Sequence, residues 1–155
     1  MPQAYSLRVN GAARSVSVEP DTPLLYILRN DFGLNGPRYG CGLSQCGACT
    51  VLIEGRPVRS CAIPVSAIGD KAVLTLEGLG SGGQLHPLQK AFIEEQAAQC
   101  GYCTNGMIMS AKALLDRNPK PTEAQIRKAL AANLCRCGTH NRIVRAVQRA
   151  AKEAV

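Results

Sequence analysis

Eight cysteines in two separate sets of four constrain this chain more than any other feature of its 155 residues. The first set has the spacing C-x4-C-x2-C-x11-C, and the second has C-x2-C-x31-C-x-C. They consist of Cys41, Cys46, Cys49 and Cys61, and of Cys100, Cys103, Cys135 and Cys137. The start, MPQAYSLRVNG, has no basic segment followed by an apolar one, so we expect no secretory signal and a cytoplasmic protein. In that reducing compartment, eight thiols favour metal binding over disulfides.

The first set lies mostly in one glycine-rich stretch, YGCGLSQCGACT, residues 39–50. C-x4-C-x2-C followed by a more distant cysteine is the plant-type arrangement for a [2Fe-2S] cluster, and Cys61 is the predicted fourth ligand. Gly40, Gly42 and Gly47 allow the backbone to approach such a cluster closely. Zinc sites usually use two separated cysteine pairs, so this loop favours iron-sulfur over zinc.

The spacing of the second set does not by itself choose between metals. Cys100 and Cys103 precede a predicted helix, whose N-terminal dipole stabilises thiolates. Cys135 and Cys137 lie in the break before the last predicted helix. Helix ends could therefore enclose either a [2Fe-2S] cluster or a zinc ion. Two zinc sites and a basic helix would make a nucleic-acid-binding module, which is the alternative from a different functional class.

The chain divides into two parts of different pattern. Residues 1–77 alternate apolar and polar positions as strands do, and residues 87–155 have helical periodicity in four segments. A glycine-rich connector, 78–86, separates them. We therefore predict an α+β protein, with a β-grasp, ferredoxin-like domain followed by a four-helix bundle. Each part contains one complete set of cysteines.

Short local signals predict where individual helices begin. Thr22 is expected to cap the helix of the first part, with Pro23 as its first residue. Thr122 and Gln125 form a capping box for the third helix of the second part. His86, just before a proline, is interpreted as a cap or a loop residue and not as a metal ligand.

The formal net charge of +7 is concentrated on one face of the last predicted helix. That face carries Arg142, Arg145, Arg149 and Lys152. A solvated helix face explains it more simply than a nucleic-acid site, since the chain has no Trp, two Phe and four Tyr to stack on bases. No apolar run approaches the ~20 residues of a membrane span. We expect neither nucleic acid binding nor membrane insertion.

Three stretches together resemble the small iron-sulfur subunit of the xanthine oxidase family of molybdenum hydroxylases. They are YGCGLSQCGACTV, QCGYCTNGMIM and NLCRCGTHNRI, which occur in this order and contain every cysteine of the chain except Cys61. The resemblance covers essentially the whole chain. It implies that both sets hold a [2Fe-2S] cluster. It also implies an electron relay from the molybdopterin of a large partner subunit to an external acceptor, with the catalytic molybdenum site in that other chain.

The resemblance also implies two contacts with the molybdopterin. Gln99 matches a family glutamine that hydrogen-bonds the pterin, and Cys137 matches the ligand where the pterin edge meets the second cluster. Gln45-Cys46 and the GTH after Cys137 are similar to two-component enzymes such as nicotinate dehydrogenase and isoquinoline 1-oxidoreductase. That subtype implies an N-heteroaromatic substrate and a cytochrome-type acceptor in preference to an FAD subunit. The iron-sulfur subunits of aldehyde oxidases and xanthine dehydrogenases are the alternatives.

Overall fold

The structure is a computed structural model that describes residues 1–153, and it confirms the predicted α+β class. Residues 154 and 155, the end of the predicted helical part, lie outside the described residues. The strands are β1 Gln3–Val9, β2 Ala12–Val18, β3 Thr50–Ile53, β4 Arg56–Arg59 and β5 Ala72–Leu74. The helices are α1 Leu24–Tyr26, α2 Pro87–Glu94, α3 Thr104–Arg117, α4 Glu123–Leu130 and α5 His140–Glu153. A π-helical turn, Ile27–Asp31, continues α1, and 3₁₀ turns occupy Val65–Ala67 and Leu76–Gly78.

All five strands form one mixed sheet in the order β2-β1-β5-β3-β4. Two antiparallel hairpins, β1-β2 and β3-β4, turn at Asn10-Gly11 and Glu54-Gly55. All four of these turn residues have positive φ, which is the backbone geometry of a tight two-residue hairpin turn. Strand β5 lies between the hairpins, parallel to β1 and antiparallel to β3.

The two faces of the sheet pack on different helices. On one face, Leu7, Val51 and Ile53 pack with Leu24 and Ile27 of the α1 segment in one core cluster. The other face meets α3 in a smaller cluster of Leu52, Met109 and Ala113. All four residues of β3 are buried because this strand is covered on both faces. The helical part is thus packed directly on the sheet that precedes it.

Helix α1 begins differently from the sequence prediction. Pro23 is its N-cap, in an extended conformation, and Leu24 is its first residue; the cap makes no side-chain hydrogen bond. The free N–H groups of Leu24 and Leu25 donate instead to the backbone oxygens of Ile63 and Ser60. Because a neighbouring segment satisfies these donors, the helix does not need the Thr22 hydroxyl.

The other predicted helix starts are confirmed. Thr122 and Gln125 form the capping box of α4, and His86 caps α2 in a reciprocal arrangement with Gln89. Helices α2, α3, α4 and α5 share one core cluster, which includes Leu88, Met107, Ile126 and Ile143. Among the described residues, no helix is both long and apolar enough to cross a lipid bilayer.

The basic face of α5 is not only a solvated surface. Arg149 contacts the carboxylates of Glu94 and Glu95 at 3.1 and 2.8 Å, and Arg145 lies 3.5 Å from Glu95. Arg142 donates to the backbone oxygen of Gln96 at 3.1 Å. Much of the positive charge that the sequence concentrates here therefore joins α5 to the end of α2.

Candidate metal centres

The loop before β3 draws Cys41 and Cys46 together. The Cys46 N–H lies 3.3 Å from the Cys41 sulfur, and the Cys41 N–H lies 3.4 Å from the Cys46 sulfur. The N–H groups of Leu43 and Gln45 also point at Cys41, at 3.3 and 3.2 Å. The N–H groups of Leu43, Cys46 and Gln45 lower the pKa of the Cys41 thiol to about 7, because each stabilises the thiolate. The loop is therefore built to hold negative charge on sulfur.

The β3-β4 hairpin explains the long spacing to the fourth cysteine of the first set. Thr50 pairs with Arg59 across the hairpin, so Cys49 and Cys61 flank its open end. The Ser60 hydroxyl donates to the Cys49 backbone oxygen at 2.6 Å, and the two thiols are adjacent. Burial raises the pKa of Cys49 to about 11, and this side chain is only 2% exposed. Two adjacent pairs of thiols thus make up the first set.

Helix ends assemble the second set, as predicted. Cys103 is the N-cap of α3, and Cys100 stands three residues earlier, with the Tyr102 N–H at 3.5 Å from its sulfur. Cys135 and Cys137 lie between the end of α4 and the start of α5. Cys103 is adjacent to Cys135, and Cys100 is adjacent to Cys137. These four thiols also form two pairs, although the members of each pair are distant in sequence.

Cys103 and Cys135, which form one pair of the second set, are held in different environments. Burial raises the pKa of Cys103 to about 12. Burial acts in the same direction on Cys135, but the Thr139 hydroxyl, 3.3 Å from its sulfur, and the Thr139 N–H outweigh it and lower the pKa to about 7. Thr139 is itself buried, so this hydroxyl is fixed in place. One thiol of the pair is therefore ready to bind metal as a thiolate, and the other would lose its proton on binding.

The paired arrangement suits a two-iron cluster better than a single ion. A [2Fe-2S] core takes two cysteine thiolates on each of its two irons, whereas structural zinc takes four ligands on one ion. Within residues 1–153, no three His, Cys, Asp or Glu side chains lie close enough to hold one metal ion. The closest contacts between thiols join them in four pairs, two in each set, and the two pairs of the second set are near enough to interact through their charges. Each set therefore fits a [2Fe-2S] cluster.

A cavity of about 190 Å³ lies between the two sets. Thiols from both line it, together with Tyr102, Leu134 and Arg136. At its edge, the Leu134 N–H donates to the Cys46 backbone oxygen at 2.9 Å. Leu134 directly precedes Cys135, so one peptide unit and one hydrogen bond connect a cysteine of the second set to a cysteine of the first.

Side chains also fix the two cysteine loops to each other. The buried Asn105 amide donates to the backbone oxygens of Ala48 and Thr50 at 2.9 and 3.1 Å. Arg38 donates to the Gly101 backbone oxygen at 2.9 Å, and its guanidinium lies 5.2 Å from the centre of the Tyr102 ring. The Tyr102 hydroxyl donates to the backbone oxygen of Tyr39. The distance between the loops is thus set by direct contacts.

Gln99 lies on the surface, immediately before Cys100. Its side chain is exposed, and within residues 1–153 its amide has no hydrogen-bond partner. The neighbouring residue Ala98 borders an apolar groove of about 380 Å³, which is also lined by Leu85, Phe92 and Ile93. Leu85 and Ile93 are 54% and 65% exposed. This edge of the helical part presents an amide, a thiol and apolar side chains to the outside.

Sequence reasoning missed the residues that join the two loops. Asn105 and Gly106 are poor helix formers in the first turn of α3. Their presence there was the one feature of the sequence that could have indicated a special contact. Asn133 is buried just before the last cysteine pair, and its sequence neighbours give no sign of that burial. Arg38 left no signal in the sequence, because its partners are a distant carbonyl and a distant ring.

Two family descriptions match consecutive parts of the chain. Residues 7–74 match the family described as "2Fe-2S iron-sulfur cluster binding domain", and residues 75–148 match the "[2Fe-2S] binding domain". Each match contains one of the two sets of cysteines.

Proteins of known name are similar over nearly the whole chain. A nicotinate dehydrogenase subunit of Pseudomonas putida is 64% identical, over 98% of this chain and 97% of that protein. The alpha subunit of isoquinoline 1-oxidoreductase from Brevundimonas diminuta is 52% identical, over 91% of this chain and 92% of that protein. A chain in the crystal structure of quinoline 2-oxidoreductase from Pseudomonas putida 86 superposes with a TM-score of 0.94 at 38% identity, over 99% of this chain and 95% of that one.

Proposed function

This chain belongs to the small iron-sulfur subunits of the xanthine oxidase family of molybdenum hydroxylases, and we propose how its residues serve that role. It is the electron-transfer subunit of a molybdenum-dependent oxidoreductase. A [2Fe-2S] cluster accepts and gives up one electron at a time, which lets a chain with two of them relay electrons. The observation that carries the proposal is the pairing of the eight thiols in two sets, five of whose cysteines line a common cavity.

We assign every cysteine as a cluster ligand. Cys41 and Cys46 would hold one iron of the first cluster, and Cys49 and Cys61 the other, because these are the adjacent pairs. Cys103 with Cys135, and Cys100 with Cys137, would hold the second cluster on the same argument. The N–H groups aimed at Cys41 and the hydroxyl beside Cys135 then stabilise thiolate charge.

The chain itself supplies a short connection between the two sets. The hydrogen bond from Leu134 to Cys46 joins them without any intervening side chain. Near this bond, the Asn105 and Arg38 side chains hold the backbone of the two cysteine loops in place through hydrogen bonds to backbone oxygens. Leu134 is 63% exposed, but Gly47, Asn105 and Asn133 beside the connection are buried, so water is excluded from one side of it.

The second set faces the partner subunit in this proposal. Cys100 and Gln99 are exposed side by side, and the apolar groove next to them has the character of a surface that another protein covers. A large molybdopterin-binding subunit seated here would bring its pterin to the Gln99 amide and to Cys137. Electrons would leave at the other end, near Leu43, which is 69% exposed in the loop of the first set.

The substrate class comes from the named relatives. Nicotinate, isoquinoline and quinoline are all N-heteroaromatic compounds, so we propose a substrate of that class.

The same subtype favours a cytochrome-type acceptor, and we propose that the complex contains no FAD subunit. We also propose a cytoplasmic location, where eight thiols would remain reduced until iron is inserted.

We propose two domains that correspond to the two cluster sites. Residues 1–77 would form a β-grasp, ferredoxin-like domain, 78–86 the linker, and 87–155 a four-helix domain. The mixed sheet packed on α1 supports the first assignment, and the core shared by α2 to α5 supports the second. Because α3 packs on β3, we expect the two domains to unfold together.

Anaerobic reduction by substrate tests this function. The complex of this chain with its large subunit is mixed with nicotinate, isoquinoline or benzaldehyde, and bleaching of the iron-sulfur absorption is followed. We expect rapid bleaching by an N-heteroaromatic compound and none by the aldehyde. Bleaching by the aldehyde alone would refute the substrate class. Bleaching by dithionite but by no substrate would refute the relay.

A further inference from the structure

The two cysteine loops approach each other at a point where neither has room for a side chain. Gly106 lies in the first turn of α3, three residues after Cys103. A Cβ atom added to Gly106 would overlap the Gly47 backbone oxygen, and Gly47 directly follows Cys46. Because the obstacle is backbone, it could not swing away as a side chain could. The approach therefore requires glycine at position 106.

Gly47 is enclosed from the other side as well. A Cβ atom added there would overlap Oδ1 of Asn133 and would lie 3.1 Å from the Ala132 backbone oxygen. Asn133 is 4% exposed, and its Nδ2 donates to the Ser110 hydroxyl on α3 at 2.9 Å. The Asn133 side chain is thus anchored to the same helix that carries Gly106. Gly47 is held between α3 and the segment that leads to Cys135.

Each of the three residues lies within a few peptide units of a cluster ligand. Gly47 adjoins Cys46, Gly106 follows Cys103, and Asn133 precedes Cys135 by two positions. A displacement at the point where Gly47, Gly106 and Asn133 meet would therefore move ligands of both sets relative to each other. Protein interiors are packed too densely to absorb an added methyl group here without such a shift.

We propose that Gly47, Gly106 and Asn133 are positioning residues that set the separation of the two cluster sites, and with it the rate at which electrons pass between them. The inference rests on the proposed function, since it requires a cluster at each set. A purely structural role would instead lower stability and leave the separation unchanged.

The Gly106→Ala variant of the complete complex tests this inference by electron paramagnetic resonance (EPR). Both clusters are reduced with dithionite, and the magnetic splitting between their signals is measured, because the interaction of two unpaired spins falls steeply with distance. We expect wild-type iron and sulfide contents, a partial or complete loss of the splitting, and slower reduction of the first-set cluster after mixing with substrate. Wild-type splitting in a fully loaded variant would overturn the proposal.

A control variant separates the contact from backbone strain. Gly101 lies in a cysteine loop and has φ of +78°, but a Cβ atom added there meets nothing within 4 Å. Gly101→Ala should therefore lower stability and keep the wild-type splitting. An equal loss of splitting in Gly101→Ala would overturn the proposal, because it would assign the effect to loop strain.

A second variant applies if Gly106→Ala fails to load iron. Asn133→Ala adds no atom to the contact, and it removes both the side chain that encloses Gly47 and the hydrogen bond to Ser110. We expect wild-type iron and sulfide contents in this variant and a splitting that differs from that of the wild type. Wild-type splitting in a fully loaded Asn133→Ala complex would overturn the proposal. A wild-type complex without two iron-sulfur signals would instead refute the proposed function, so the two failures are distinguishable.

Discussion

The two sets of thiols reach a similar paired geometry by different routes. In the first, Cys41 and Cys46 belong to one short loop whose backbone N–H groups surround the sulfur, and a single hairpin supplies the rest. In the second, each pair joins residues on either side of α3 and α4. The first site is therefore specified mainly by local sequence, whereas the second exists only after the helices have packed.

The surroundings of the two sets differ as well. Cys49 of the first set is buried in the domain, and Cys100 of the second set is exposed beside Gln99. The first set is open near Leu43, and the second is open toward the apolar groove. A relay needs this asymmetry, because electrons must enter at one site and leave at the other.

Replacing one ligand in each set should have the largest effect. We expect Cys61→Ser to remove the first cluster and Cys137→Ser to remove the second, because the sets share no thiol. Iron analysis and EPR should show half of the wild-type iron in each variant and the signal of the other cluster. Loss of both signals in either variant would contradict the independence of the two sites.

The next largest effect is expected at the Asn105 amide, which joins α3 to the cysteine loop before β3. Asn105→Ala leaves the backbone oxygens of Ala48 and Thr50 without their side-chain donor in a buried region. We expect the free energy of unfolding to fall by about 1–3 kcal/mol in a denaturant titration of the loaded protein. The exposed Asn141→Ala is the control and should change it by less than about 0.5 kcal/mol. Equal effects would mean that the two hydrogen bonds from the Asn105 amide add nothing to stability.

Gln99→Ala should slow turnover while both clusters stay assembled. The exposed amide is not a metal ligand, so iron content is expected to match the wild type. Loss of the hydrogen bond that we propose between this amide and the pterin would weaken cofactor retention or turnover by the equivalent of about 1–3 kcal/mol. Molybdenum content and kcat are measured beside Gln84→Ala, an exposed glutamine in the linker. Full activity and full molybdenum in Gln99→Ala would make it an ordinary surface residue.

The smallest effect is expected at the contact between α5 and α2. Arg149→Ala removes ion pairs with Glu94 and Glu95, which are partly exposed and screened by salt. We expect a loss of about 0.2–1 kcal/mol in the free energy of unfolding at low salt, and less at high salt. Lys128→Ala, which makes no ion pair within residues 1–153, is the control. A loss that does not depend on salt would point to packing by the arginine side chain.

Local chemistry accounts for most of what the sequence predicted correctly. The capping box of Thr122 and Gln125 and the cap at His86 each depend on residues a few positions apart. The start of α1 was misplaced because its free N–H groups find acceptors at Ser60 and Ile63, far along the chain. A local capping rule has no means of representing such a partner.

The same limit applies to the candidate site. The spacing of the first set was diagnostic because one loop contains three of its cysteines. The spacing of the second set left zinc and iron-sulfur open, and only the packing of α3, α4 and α5 shows that its thiols pair. Asn133 and Arg38 were missed because their roles depend on contacts with the other half of the chain, at Gly47 and at Gly101.

Analysis of iron, zinc and acid-labile sulfide in the purified complex tests the central claim most directly. With one [2Fe-2S] cluster in each set, the chain should contain two iron and two sulfide ions per set, and no stoichiometric zinc. The molybdenum of the large subunit does not interfere with this count. Zinc at one ion per set, without sulfide, would contradict the account, and so would iron and sulfide sufficient for one set alone.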